Sequence, residues 1–346
     1  MTNKIRSALA ALALLVAALA PTHAAAQSDI LLRLRSGSPL GDRFRVDSAS
    51  GFVAKGVLGI GIIPFTGAGE RLMWHPYKAA FRAGSIGSAG TQWDDANVGF
   101  YSWAGGYNTI ALGLSSFAMG YQSTALGSYS NALGYTANAD GTGAVAIGYR
   151  TTADADYSVA IGQRASTNGH AGAIVLSDGS TTDSTQASAN NQFTVRSAGG
   201  VRLFTNATMT VGVQVAAGGS SWAVISDRNR KGGFLGVDGE DVLLRLRQVP
   251  VSTWRYNDEV DRSTLHIGPM AQDWHHAFGF TTDDHTINMS DFDGVNLAAI
   301  KALDARTAEL QARTAEVALL RTELDATRRR LDELEAVVHR MQEQQH

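Results

Sequence analysis

The chemistry open to this chain lies at Ser226-Asp-Arg-Asn-Arg-Lys231. A serine five residues ahead of a lysine is a common spacing, so the pair draws interest through the lysine itself. The chain has 24 arginines and only five lysines, and one of those few stands here between Arg230 and Gly232. Arginine cannot give up its proton, whereas a lysine beside other cations can serve as a base, which is what a serine nucleophile needs. Five residues along a helix turn the side chain about 140° away, so a working pair requires a turn or loop between them. Asn229 and Gly232-Gly233 supply residues for one. Ser226 would then add to the carbonyl of Ile225 once its proton passes to neutral Lys231, giving an ester that water resolves. No oxyanion donor can be assigned from the sequence. The competing reading is a polar surface loop that does no chemistry.

Other candidate sites are weaker. His266, His275 and His276 do not form a metal set, since adjacent histidines on a helix point to different faces and no carboxylate completes the group. Asp291-Phe-Asp-Gly294 begins like a calcium loop but lacks the later ligands, so a turn capping the following helix is expected. Asp140, Asp154 and Asp156 fall at turns and not as a facing pair, so glycan cleavage would rest on analogy alone. No metal and no cofactor is expected.

The element that carries most of the chain is a repeat. Alanine recurs every seven residues from Ala104 to Ala160, and glycine follows two residues later from Gly106 to Gly162, with Ala155 breaking the row. Glycine in every unit excludes a helix, so the units are short stacked strands of a solenoid. Leu112, Met119, Leu126, Leu133, Ile147 and Ile161 precede the glycines and are expected to point inward, with the glycines making tight turns. The alanine face is then expected to pack against another layer, either of the same chain or of a neighbouring chain, and a roll so thin favours the second. The units Asn108-Thr-Ile-Ala-Leu-Gly113 and Tyr157-Ser-Val-Ala-Ile-Gly162 resemble the head repeat of YadA-like trimeric autotransporter adhesins over about residues 97–176. That resemblance implies a left-handed parallel β-roll in an intertwined homotrimer, two heptads per coil, and names no ligand.

After the roll, Gly236 to Arg247 reads as a helix ending before Pro250, Val251 to Tyr256 as a strand, and Pro269 as the first residue of a helix carrying Met270, Trp274 and Phe278. A second seven-residue period follows at Leu303, Leu310, Val317, Leu324, Leu331 and Val338, with no glycine or proline. It predicts a coiled coil, weakened where Arg306, Arg313 and Thr327 occupy the second core position. The succession of Ser226–Lys231, Gly268-Pro-Met-Ala-Gln-Asp273, Asp293-Gly-Val295 and heptads resembles the C-terminal intramolecular chaperone of endosialidases and phage tailspikes. The resemblance implies a domain that gathers three chains and then cuts the Ile225–Ser226 bond, with Ser226 as nucleophile and Lys231 as base.

Composition agrees with an exported fibre. Net charge is −3, so no nucleic-acid partner is expected, and there is no cysteine. Lys4 and Arg6 before the apolar run Ala8–Ala20 predict a signal peptide cut after Ala26, placing the product outside the cell, on its surface or in the periplasm. No later segment is long and apolar enough to span a bilayer, and the last residues are a charged helix instead of barrel strands, so the chain is expected to carry the head without the anchor. The expected organisation is signal peptide 1–26, N-terminal β region 27–96, roll 97–176, connector 177–225, chaperone 226–296 and coiled coil 297–346. The N-terminal strands are expected at Leu31–Arg35, Phe44–Val46 and along Val57–Phe65, with Phe193–Val195 and Val201–Phe204 as flanking stubs. The fold class is mainly β with a C-terminal α part: the roll, a small α+β chaperone and the coiled coil. Two functional readings stand: a homotrimeric fibre or adhesin-like protein that cleaves itself once, with no external substrate, or a structural trimer that keeps its C-terminal clamp. A cell-surface or glycan ligand is left open.

Overall fold

The computed structural model describes residues 30–36, 41–48, 51–257, 263–280 and 283–343. The expected signal peptide and its cleavage point after Ala26 lie outside the described residues. The chain divides into two compact units, residues 1–201 with 215–220, and residues 202–214 with 221–346.

In the first unit a parallel β-roll follows a small antiparallel sheet of Ile30–Ser36, Gly41–Asp47 and Gly51–Ala54. One face of the roll is built from five-residue strands: Trp103–Tyr107, Phe117–Tyr121, Asn131–Tyr135, Val145–Tyr149 and Val159–Gln163. The other is built from two-residue strands, Ile110–Ala111, Thr124–Ala125, Asn138–Ala139 and Thr152–Ala153 among them. Asn131 pairs with Val145 and Asn138 with Thr152, so one coil takes two heptads and each residue lies beside its equivalent in the next coil. The nine-stranded sheet runs from Gly69–His75 to Phe193–Arg196, so the segment expected as a flanking stub at 193–195 is its last strand. The apolar stretch Val57–Phe65 makes only an isolated bridge, Val57 to Ile60, because Gly59 and Gly61 turn the chain with positive φ.

The roll reverses the expected facing of its side chains. Every alanine of the row is fully buried inside its own chain, while Met119 and Leu126 are 40% and 42% exposed on the outside. Ser116, Ser123, Ser130, Thr151 and Ser158, which share the alanine parity, are buried with them. The two layers of a coil lie so close that only methyl and hydroxymethyl groups fit between them. Some hydroxyls there bond to backbone carbonyls, as Ser130 Oγ does to Gly127 O at 2.7 Å and Ser158 Oγ to Ala155 O at 2.6 Å. The larger aliphatic side chains are therefore pushed outward.

The glycine row has two causes: Gly106, Gly120, Gly134, Gly148 and Gly162 turn the chain with positive φ, from 99° to 130°, and coil stacking adds a second. The left-handed corners fall two residues later, at Asn108, Ser115, Gln122, Tyr129, Thr136, Arg150, Tyr157 and Arg164. Their amides bond to the preceding coil, as Thr136 N does to Tyr121 O at 2.8 Å, which offsets strain of about 1–2 kcal/mol per residue. Glycine is required because coils stack too closely: a Cβ on Gly134 would lie 2.0 Å from Gly148 O. On the outer surface Tyr107, Tyr121, Tyr135 and Tyr149 form a ladder with ring centroids 5.1, 5.0 and 5.0 Å apart. The regular offset ends when Val159 pairs with Ile174 and Ile174 with Phe193. At the N-terminal end Arg82 takes the place of an alanine opposite Ala104 and fills the coil. Its guanidinium donates to Ser102 O, Ser102 Oγ and Ala111 O at 3.1, 2.9 and 3.0 Å, and burial pushes its pKa down to about 10.

In the second unit three helices close a small core: α1 Gly239–Leu246, α2 Ala271–Phe278 and α3 Met289–Glu343. Val242, Leu243, Val249, Trp274, Phe278, Val295, Ala299 and Ala302 are its buried members. Asp238 caps α1, accepting from the amides of Glu240 and Asp241, so the helix begins after Gly236. Met270, and not Pro269, begins α2, since Met270 O accepts the first helical bond from Trp274 N. Asp291–Gly294 lies inside α3, whose first turn is held by Asn288 Oδ1 accepting from Ser290 N at 2.9 Å; the expected capping turn is thus part of the helix. Ser252–Trp254 and His266–Gly268 form a two-stranded sheet. Arg306, which interrupts the heptad pattern, donates through Nε to Glu240 Oε1 at 2.9 Å and so ties α3 to α1. Along α3 the heptad residues Leu303, Leu310, Val317, Leu324, Leu331 and Val338 are all exposed in the single chain.

Ala132→Leu should destabilise the roll by about 1–3 kcal/mol or more through overpacking, and Gly134→Ala should do so through the clash with Gly148 O, whereas outward Thr152→Val should stay within about 0.5 kcal/mol. Thermal unfolding followed by circular dichroism measures all three. The hydrogen bond from Arg306 holds the Glu240 carboxyl below the usual carboxylate range. That tie is fully present above about pH 4.3 and is lost as pH falls through the depressed folded value. Glu240→Gln should therefore flatten the acid dependence of the helical signal below about pH 4.

Candidate functional site

The turn carrying Ser226 begins at a strand. Ala223–Val224 pairs antiparallel with Gly212–Val215, Val224 opposite Val213, and the Ile225 amide donates to Gly212 O at 3.2 Å. The peptide chain thus arrives at Ser226 held by a sheet on its N-terminal side. Gly212 accommodates this with φ of 156°, and a Cβ there would lie 2.0 Å from Leu203 O.

Past the serine the chain makes one 3-10 turn, Arg228–Arg230, and then extends at Lys231, with φ −119° and ψ 149°. Asp227 caps the turn: its Oδ1 accepts from Asn229 N at 2.9 Å, and its Oδ2 lies 3.4 Å from Arg230 Nε. The Lys231 amide closes the turn on Arg228 O at 3.2 Å. A tight three-residue turn followed by an extended residue overcomes the 140° divergence that an α-helix would impose. Lys231 Nζ donates to Ser226 Oγ at 2.7 Å. Both residues are solvent-exposed, and Ile225 is half-buried. The two arginines beside the lysine are otherwise engaged, Arg230 with Asp227 and Arg228 over the ring of Phe234 at 5.6 Å.

Sequence reasoning reached Ser226, Lys231 and the need for a turn, but missed the cap of Asp227 and the part of Gly212. The first was available as an aspartate two residues before the amide it binds. The second depends on strand pairing at a distance and left no local signal.

The remaining polar candidates have structural partners. Asp154 Oδ1 accepts from Thr167 Oγ1 at 2.7 Å and Gly169 N at 2.8 Å, and Asp156 Oδ1 from Thr142 N at 2.7 Å. Burial, then the charge of Asp154, raises the pKa of Asp140. His266 stacks on Trp254 with ring centroids 4.6 Å apart. Among the described residues no three metal-ligating side chains cluster, and no helix is long and apolar enough to cross a membrane.

Comparison with known families divides the chain in the same way. The YadA head domain repeat matches residues 104–130, 113–137, 130–151 and 139–165. The chaperone of endosialidase matches residues 226–281, beginning at Ser226. No curated protein and no solved structure matches the chain. The protein is thus similar to an adhesin head in one unit and to a tail-fibre chaperone in the other.

Asp227→Ala removes the bonds to Asn229 and Arg230, at a cost of about 1 kcal/mol to the turn. In a crystal structure of that variant the Lys231 Nζ to Ser226 Oγ contact should be lost; its retention at 2.7 Å would show that the cap does not hold the pair.

Proposed function

We propose that this protein is an exported homotrimeric fibre whose C-terminal unit gathers three chains and then cuts its own Ile225–Ser226 bond. The observation that carries the reading is the 2.7 Å contact between Lys231 Nζ and Ser226 Oγ, two residues beyond the strand Ala223–Val224 and next to Ile225, whose amide is bonded to Gly212 O. Neutral Lys231 takes the hydroxyl proton while Ser226 Oγ adds to the Ile225 carbonyl. The C–N bond then breaks and the proton passes to the Ser226 nitrogen, leaving an ester between Ile225 and Ser226 Oγ. Water cleaves the ester to give an Ile225 carboxylate and a fragment beginning with free Ser226. The reaction runs once per chain and has no external substrate.

Association is supported by the apolar groups that a single chain leaves in water: the outer aliphatic row of the roll and the heptad row of α3. A 55-residue helix with an exposed apolar seam gains its stability by packing on other helices. Assembly also bears on the chemistry. A lysine is a base only without its proton, and removal from water favours the neutral amine. Lys231 is exposed in one chain, so burial by neighbouring chains would make cutting follow assembly. That same exposure favours the second reading, a trimer that keeps its C-terminal clamp and never cuts.

Mass spectrometry of the mature chain under denaturing conditions separates the two. The first reading expects a fragment starting at Ser226, lost in Ser226→Ala, in Lys231→Ala and also in Lys231→Arg, because arginine keeps its proton. An intact wild-type chain after assembly would leave the non-cleaving trimer.

A further inference from the structure

In the second unit an apolar cavity of about 250 Å³ opens between α1, the start of α3 and Phe280. Val237, Val242, Phe280, Gly294, Val295 and Ala298 line it, with Ser290 and Asp291 as its polar members. An aliphatic cavity of about 150 Å³ takes up benzene in water, so this one has room for a leucine side chain. Nearby stands a leucine without a place. Leu235 lies between Gly233 and Gly236 and is 91% exposed, the most exposed large apolar residue described.

We infer that Leu235 of one chain seats in this cavity of a second copy of the chain, an inference resting on the proposed assembly. In the single chain Leu235 stays in water although Val237, two residues along the same segment, forms part of the cavity wall. Two residues span at most about 7 Å, so Leu235 lies within about 7 Å of a residue in the wall of its own cavity. Chains packed in parallel and in register along α3 hold equivalent residues at equal height. The Leu235 of one chain then lies level with the cavity of the next. The surface between them is apolar: Leu297, Ile300 and Leu303 on α3 are exposed next to the cavity wall formed by Val295 and Ala298. The contact runs head to tail around the ring, each chain giving one leucine and receiving one. Only Gly232–Phe234 separates Leu235 from Lys231, so the same contact would hold the proposed base in place as chains assemble.

The chain has no cysteine, so Leu235→Cys with Ala298→Cys adds the only two thiols. The Ser226→Ala background keeps the mature chain whole. After oxidation, denaturing gels without reductant should show chains covalently joined in multiples. A single-chain band with no free thiol would overturn the inference by showing docking within one chain. Free thiols in a protein that native mass spectrometry finds trimeric would overturn it and leave the assembly reading standing; a monomer in native mass spectrometry before oxidation would overturn the assembly reading itself. Independently, Leu235→Ser should raise the concentration for half-assembly by about tenfold or more, while contacts within each chain are unchanged because the side chain is already in water there. An unchanged midpoint would also overturn the inference.

Discussion

The distance between the two layers of the roll governs this molecule. With the alanine row from Ala104 to Ala160 and its serines and threonines filling the coils, the leucines, isoleucines and phenylalanines beside them go to the outer surface. The interior so formed is close-packed but small, and it contributes little apolar area per residue. Coil stacking adds what the interior lacks: backbone bonds between coils, the tyrosine ladder and glycines that let carbonyls approach. The outer aliphatic surface that results is the physical ground for the proposed association.

The C-terminal unit has the same character at another scale. Its core is a handful of residues around Trp274, while one helix of 55 residues extends with its heptad face in water. Arg306 illustrates the division of labour along that helix. As a heptad position it weakens the seam, and as a partner of Glu240 it fastens the seam to the domain that carries Ser226 and Lys231. In the proposed function, the place where the chains come together and the place where the chain is cut are coupled through α3 and α1. A repeat that can slip by a whole coil without losing its pattern has reason to end in such a domain.

Much of this was legible in the sequence. The alanine and glycine rows gave a parallel roll because strict periods leave few alternatives, and Ser226 and Lys231 stood out because lysine is scarce in this chain. The facing of the roll was misread. Alternation alone says that Ala132 and Leu133 lie on opposite sides; which side is inner depends on the layer spacing, and that is a property of the stacked coil and not of any heptad. The positive φ of Gly134 follows the turn signal in the sequence, whereas the carbonyl fourteen residues away that excludes its Cβ leaves no local signal. At the site, the turn was legible from its residue types, whereas Gly212 enters only through a strand pairing.

In the proposed assembly one chain is an incomplete structure finished by two others. Sedimentation equilibrium of the mature Ser226→Ala chain, with circular dichroism across a dilution series, tests it most directly. The proposed trimer gives a mass of three chains, and loss of β and helical signal together as dilution drives the chains apart. A single-chain mass with the full signal retained would contradict it.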